Sequence, residues 1–180
     1  IEVLDELAPL LRDNRDLGGI RTSIGAMPGV KAPQEITYDD KFYEKGEANI
    51  KRFGLYGNYI TSSIYNAPLL RRLNIPQRLE KNLFANRHYP HLYLNILTAA
   101  NTRTHVSSKI ACFQGESEPY LANQTYRDNP SDYFGTFSYG NRADQVIALR
   151  DVIYEAFQDL YESGHHNDFD FRAFYNVYCF

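Results

Sequence analysis

Between Asp39 and Pro68 the residues Phe42, Gly46, Ile50, Phe53, Gly57, Ile60 and Ile64 recur at steps of 4, 4, 3, 4, 3 and 4. No other feature of the chain constrains its fold as strongly. Steps alternating between three and four place side chains on one face of an α-helix. The spacing therefore predicts a helix of about 25 residues that stops before Pro68, because the residue preceding a proline is pushed out of the helical region. The seam glycines Gly46 and Gly57 cost about 1 kcal/mol each relative to alanine. In return they admit a neighbouring helix or ring at close range.

A second seam, Leu92, Ile96, Ala99, Arg103, Val106, Ile110 and Phe113, follows Pro90, which is suited to a first helical turn. Arg103 is its one charged member and marks a break, a snorkelling side chain or a buried partner carboxylate. The third seam is Val146, Leu149, Ile153, Phe157 and Leu160, with Asn141 as the expected N-cap, Asp144 in the first turn and Gly164 at the end. Shorter helices are expected around Val3, Leu7, Leu10 and Leu11, starting late or kinking at Pro9, and from Pro76 through Leu79 and Leu83 to Asn86. The stretch 17–37, with Gly18, Gly19, Gly25, Pro28, Gly29 and Pro33, reads as an extended arm, and 114–140 as a long aromatic loop. No strand-like alternation competes. The expected fold class is all-α, one domain over 1–180: an N-terminal helix and Gly/Pro-rich arm (1–37), a helical bundle of three to four principal helices (38–164) and an aromatic docking tail (165–180).

Fifteen tyrosines and no tryptophan favour contact surfaces over chemistry, since tyrosine offers a stiff, half-polar contact area at low entropic cost. Tyr43, Tyr56, Tyr59 and Tyr65 fall on the first seam helix and read as core or core margin. Tyr120, Tyr126, Tyr133, Tyr139, Tyr175 and Tyr178 fall in the loop and tail, where a bundle has least use for them, and are the predicted partner-binding set. Arg71 and Arg72, near Arg78 and Lys81, form the densest basic patch and a candidate dock for an acidic partner. Nineteen basic and twenty-two acidic residues give 19 − 22 = −3, which supplies no electrostatic reason for nucleic-acid binding or a polybasic membrane anchor. No apolar run approaches the roughly 20 residues of a transmembrane helix. The partners expected are protein subunits, with any membrane association peripheral.

Catalytic and metal patterns are weak. His105 and Cys112 are seven residues apart, about 10.5 Å of rise on a helix, too far for a nucleophile–base pair. Ser62, Ser63, Ser107 and Ser108 carry no elbow motif. His165, His166, Asp168 and Asp170 match no zinc or calcium loop and read as charge at a helix C-terminus; His88 and His91 are split by Pro90. Glu116 and Glu118 read as a solvated loop, and Gly18-Gly19 follows no strand, so no phosphate cradle is expected. No cofactor is expected. Cys112 and Cys179 allow one disulfide at most and otherwise read as buried thiols. Asn123-Gln124-Thr125 satisfies the glycosylation rule. The first residue is Ile1 and the only methionine is Met27, which reads as a processed or trimmed N-terminus: either a removed targeting peptide, and with it an organelle lumen or secretion, or residues left out ahead of Ile1.

Tyr56-Gly57-Asn58-Tyr59 followed by Ile60, and Ser138-Tyr139-Gly140-Asn141-Arg142 before the last helix, together with the aromatic Phe42 to Tyr65 segment, resemble the lumenal four-helix-bundle proteins of photosystem II, the PsbQ-type extrinsic subunits and related assembly factors. The likeness spans about half the chain; the long loop and aromatic tail have no counterpart in it. The resemblance implies a thylakoid-lumen subunit that docks on the oxygen-evolving side of photosystem II and supports it without catalysis. The expectation is therefore a non-catalytic extrinsic subunit of a larger assembly. Its rivals are a secreted or pathogen-derived helical interaction effector and, third, a histidine-based enzyme or cofactor binder using His105, His165 or His166.

Overall fold

In the computed structural model, which describes residues 2–26, 36–55, 62–82, 90–114, 139–165 and 172, the glycine-rich stretch after the first helix is a core strand. Helix α1 (Glu2–Asp13) leads into β1 (Leu17–Ala26). Strand β2 (Lys41–Tyr43) and a single turn α2 (Glu47–Asn49) follow, the latter continuing into a π-helical segment Ile50–Leu55. Next come β3 (Ser63–Tyr65), α3 (Ala67–Arg72), α4 (Ile75–Lys81), α5 (Pro90–Asn101), β4 (Arg103–Gln114) and α6 (Tyr139–Glu162). The strands form one mixed sheet in the order β2-β4-β1-β3. β1 and β4 run parallel at its centre, and β2 and β3 flank them antiparallel. The all-α bundle expected from the seams is thus incorrect: the domain is mixed α and β.

Each misread segment has a physical cause. β1 is buried along nearly its whole length, and a strand covered on both faces shows no alternation of apolar and polar residues. Its glycines are where neighbours come closest. A Cβ on Gly18 would stand 2.1 Å from Thr102 Oγ1, and one on Gly19 2.6 Å from the tip of Phe53. The Phe42 to Ile64 seam breaks into β2, α2, the π segment and β3; Gly57 and Ile60 lie outside the described residues. Ile50 and Phe53 are still fully buried, so the apolar positions reach the core by a different backbone path. Asn49 holds that path in place. Its amide donates to the carbonyls of Ala99 (3.1 Å) and Thr102 (3.0 Å) at the end of α5, and its oxygen accepts from the Thr104 hydroxyl.

The second seam is two elements. α5 starts at Pro90 as expected but ends at Asn101, and the chain enters β4 at Arg103, the residue that interrupted the pattern. Arg103 pairs with Asp16 (3.2 Å) and Glu44 (2.9 Å) and covers the Phe42 ring at 5.1 Å. The last helix matches the third seam best. α6 begins at Tyr139, two residues before the expected cap, and closes at Gly164, whose φ of 82° belongs to the left-handed region. The amide of His165 donates to Leu160 O (2.8 Å) and that of Gly164 to Tyr161 O (3.0 Å), the paired bonds of a Schellman ending.

The main core lies on one face of the sheet and joins Ile50, Phe53, Leu70, Ile75 and Tyr93 to Ile96 and Leu97 of α5 and to Val152, Ile153, Ala156 and Leu160 of α6. A smaller cluster packs Leu7 of α1, with Val3, Leu10 and Leu11 at its margin, on Leu17 and Ile20. Arg78 ties α4 to α6 through Glu155 (3.0 Å) and Asp159 (2.8 Å). Tyr93 and Asn101 of α5 donate to the same two carboxylates, each at 2.6 Å. Every member is partnered, so this network reads as a structural tie between three helices.

Candidate anion site

Sheet register decides which β1 side chains meet the main core. Ile20 pairs with Ile64 and Arg21 with Ser63, and Ile20 and Ile64 pack toward α1. Successive residues of a strand point to opposite faces, so Arg21 and Ser63 turn the other way, toward the π segment and α5. Arg21 is 0 % exposed. Its Nη2 donates to Ser63 Oγ at 3.3 Å, and its guanidinium carbon lies 5.0 Å from the centre of the Phe53 ring. Nε and Nη1 are buried with no hydrogen-bond partner.

Around this guanidinium the chain gathers positive charge, phenols and an amide. Tyr38 is buried, its backbone amide anchored on Ser23 Oγ at 2.9 Å, and Arg52 of the π segment stacks on its ring at 4.9 Å. Tyr65 donates to Asn95 Oδ1 at 2.5 Å. The Nδ2 of the fully buried Asn95 has no partner, nor has the hydroxyl of Thr98 three residues further along α5. Burial pushes the Arg21 pKa down, the two phenols push it back up and Arg52 lowers it further. His91, one helical turn before Asn95, is likewise lowered, first by burial and then by the charge of Arg21. Burial raises Tyr65, so its phenol keeps its proton.

A guanidinium taken out of water without a counter-ion costs several kcal/mol even after relaxation. Stacking on Phe53 returns about 0.5–2 kcal/mol, which does not balance it. Two other partly buried arginines behave differently: Arg78 and Arg103 each contact two carboxylates. Among the described residues no carboxylate pairs with Arg21 or with Arg52. The unpartnered donors at Arg21 and Asn95 are suited to oxygen acceptors carrying negative charge. The backbone beside Arg21 is a π-helical segment, an irregularity found frequently at functional sites.

The residues expected from sequence fall elsewhere. Tyr120, Tyr126, Tyr133, Tyr175, Tyr178, Cys179 and Asn123 lie outside the described residues, as do His88, His166, Asp168 and Asp170. Tyr139 opens α6, its side chain likewise outside them. Arg71 and Arg72 are exposed in the last turn of α3, while Arg78 is committed to the α4–α6 tie. Cys112 is a free, half-buried thiol on β4. His105 is also on β4, its ring against Phe42 at 4.5 Å and its Nε2 3.5 Å from Asp40. The hydroxyls of Ser107 and Ser108 both donate to Asp40. The arrangement therefore gives His105 no serine nucleophile. His165 contacts the Ser163 carbonyl with Nδ1 at 3.0 Å.

Arg21 was missed because it sits in a stretch read as a loose arm. One signal was available: from Leu17 to Gln34 there is no acidic residue, so no local carboxylate is at hand to neutralise it. Comparison of the chain with protein-family models, with curated proteins and with solved structures finds no match.

Proposed function

We propose that this domain binds an anionic small molecule, or the anionic group of a larger one, with Arg21 as the anchoring residue. The observation that carries the reading is the fully buried guanidinium with two unpartnered nitrogens and no carboxylate pairing with it among the described residues. Charge-assisted bonds to an oxyanion would satisfy those donors and offset the burial cost in one step. Arg52 reinforces the positive potential; Ser63 and Phe53 fix the orientation of the Arg21 plane. Calorimetric titration at low ionic strength with inorganic phosphate and with acetate tests the proposal. At least one should bind to the native chain and neither to a folded Arg21→Met variant. Silence from both anions with the native chain, or unchanged binding in the variant, rejects it.

A second reading keeps the docking role. Leu4, Ile110 and Phe113 are 51 %, 37 % and 59 % exposed, and with Val3 and Ala111 they line a shallow groove of about 440 Å³ between α1 and the end of β4. An apolar surface of this kind supports attachment to a larger assembly. In the form implied by the PsbQ-type resemblance, co-isolation from native thylakoids must recover photosystem II subunits, and recovery must fall for Phe113→Glu.

A further inference from the structure

The anion-binding reading leaves the ligand's chemical class open between carboxylates and phosphates, and charge and donor count separate them. We propose that the group held at Arg21 is a phosphoryl dianion, bound between the guanidinium groups of Arg21 and Arg52 with the side-chain amide of Asn95 as a further donor; this rests on the binding role proposed above. Arg52 immediately precedes Phe53, the residue whose ring backs Arg21, and its own guanidinium lies over the buried Tyr38; among the described residues neither arginine is paired with a carboxylate. One carboxylate neutralises one of them. A phosphate monoester carries a charge of about −1.5 to −2 near neutral pH, because its second pKa is about 6, and matches both.

The unmade bonds give the same answer. Arg21 Nε, Arg21 Nη1 and Asn95 Nδ2 are buried donors without partners. Asn95 Oδ1 is engaged by Tyr65 at 2.5 Å, so the amide presents its NH2 and not its oxygen. A site made of donors favours a fully ionised group and rejects one that must donate a proton. A phosphoryl group offers three terminal oxygens to these three donors, whereas a carboxylate has two oxygens and leaves part of the set unsatisfied, which costs affinity. The planes are preset: Phe53 backs the Arg21 guanidinium and Tyr38 backs that of Arg52, so little side-chain entropy is lost when the ligand arrives.

The test compares methyl phosphate with acetate at pH 7.5 by calorimetric titration of the native chain, Arg52→Gln, Arg52→Lys and Asn95→Leu, each shown to be folded by circular dichroism. Methyl phosphate should bind the native chain at least tenfold more tightly than acetate. That preference should shrink to threefold or less in Arg52→Gln and be largely kept in Arg52→Lys, which retains the charge. Asn95→Leu should weaken methyl phosphate more than acetate. Equal affinities for the two ligands in the native chain, or an unaltered preference in Arg52→Gln, overturn the phosphoryl assignment while the anion site stands. Absence of binding by either ligand overturns both.

Discussion

Arg21 is a residue whose role and stability pull in opposite directions. Replacing even a buried ion pair by apolar side chains of similar volume is often neutral or stabilising by about 1–4 kcal/mol, and Arg21 lacks the attraction of a paired carboxylate among the described residues. Arg21→Met should therefore raise the urea midpoint of the ligand-free protein while abolishing anion binding; a midpoint that falls by more than the scatter would show that the guanidinium is a structural member of the core. His105 supplies a pH dependence with a definite sign. Burial lowers its pKa more than Asp40, the carboxylate facing it from the β2 side, and the backbone at Lys41 raise it. The folded state thus favours the neutral ring, and between the lowered folded value and the ordinary value of about 6.5 the unfolded chain binds the extra proton. Its contribution to stability is complete above pH 6.5 and is lost as pH falls through the folded value. Asp40 is lowered too, chiefly by the Ser108 hydroxyl, but its loss belongs to the more acidic range below its ordinary value. Urea midpoints at pH 7.5 and 5.5 should differ less in His105→Gln than in the native chain; His91, lowered in the same direction, keeps part of the slope in both.

Elements show what could be read from sequence and what could not. α6 was legible because its apolar period is sustained over several turns and ends on Gly164, a residue whose backbone conformation the chain's other side chains adopt at a cost. The starts of α4 and α5 were legible through Pro76 and Pro90. β1 was not, since a central parallel strand filled with Gly, Ser, Thr and Arg lacks both the alternation and the β-branched richness by which strands are recognised. β4 was hidden by its own junction: Val106, Ile110 and Phe113 continue the helical spacing of α5 by coincidence, and Arg103, the interruption, was the only mark of the change. Arg21 was invisible for the same reason as its strand. The junction itself depends on Asn49, which satisfies two carbonyls at the C-terminus of α5 and the hydroxyl of Thr104. Asn49→Ala leaves the Thr102 carbonyl and the Thr104 hydroxyl without this amide, while Ala99 O keeps the Gly46 amide at 3.4 Å, and each buried group left unpaired costs about 1–3 kcal/mol. The variant should lose about 2–4 kcal/mol in denaturant unfolding; a loss below 0.5 kcal/mol would mean that water or a local shift replaces the amide.

At the scale of the whole molecule, β1 and β4 pair in parallel although Leu17 and Arg103, their first partners, are far apart in sequence. Closing so long a connection has an entropic cost that the pairing recovers only when most of the domain is assembled, so the central strands should form and dissolve with the global transition. α5 and α6 share that fate through the main core and through Arg78, Glu155 and Asp159. α1 is held differently. It rests on the opposite face through Leu7 and the partly buried Val3, Leu10 and Leu11, with Lys109 paired to Glu6 at an exposed position, where an ion pair adds little. Local opening is cheapest where few apolar groups are buried. In native-state hydrogen exchange the amides of Ile20 to Thr22 and Thr104 to Val106 should exchange only through global unfolding, with denaturant dependence matching the equilibrium m value. Those of Leu7, Ala8, Leu10 and Leu11 should exchange by a smaller opening, at a free energy several kcal/mol below the global one and nearly independent of denaturant. Merging of the two groups at the global value would show that α1 is an integral part of the cooperative unit, and that its face of the sheet is as firmly closed as the one bearing Arg21.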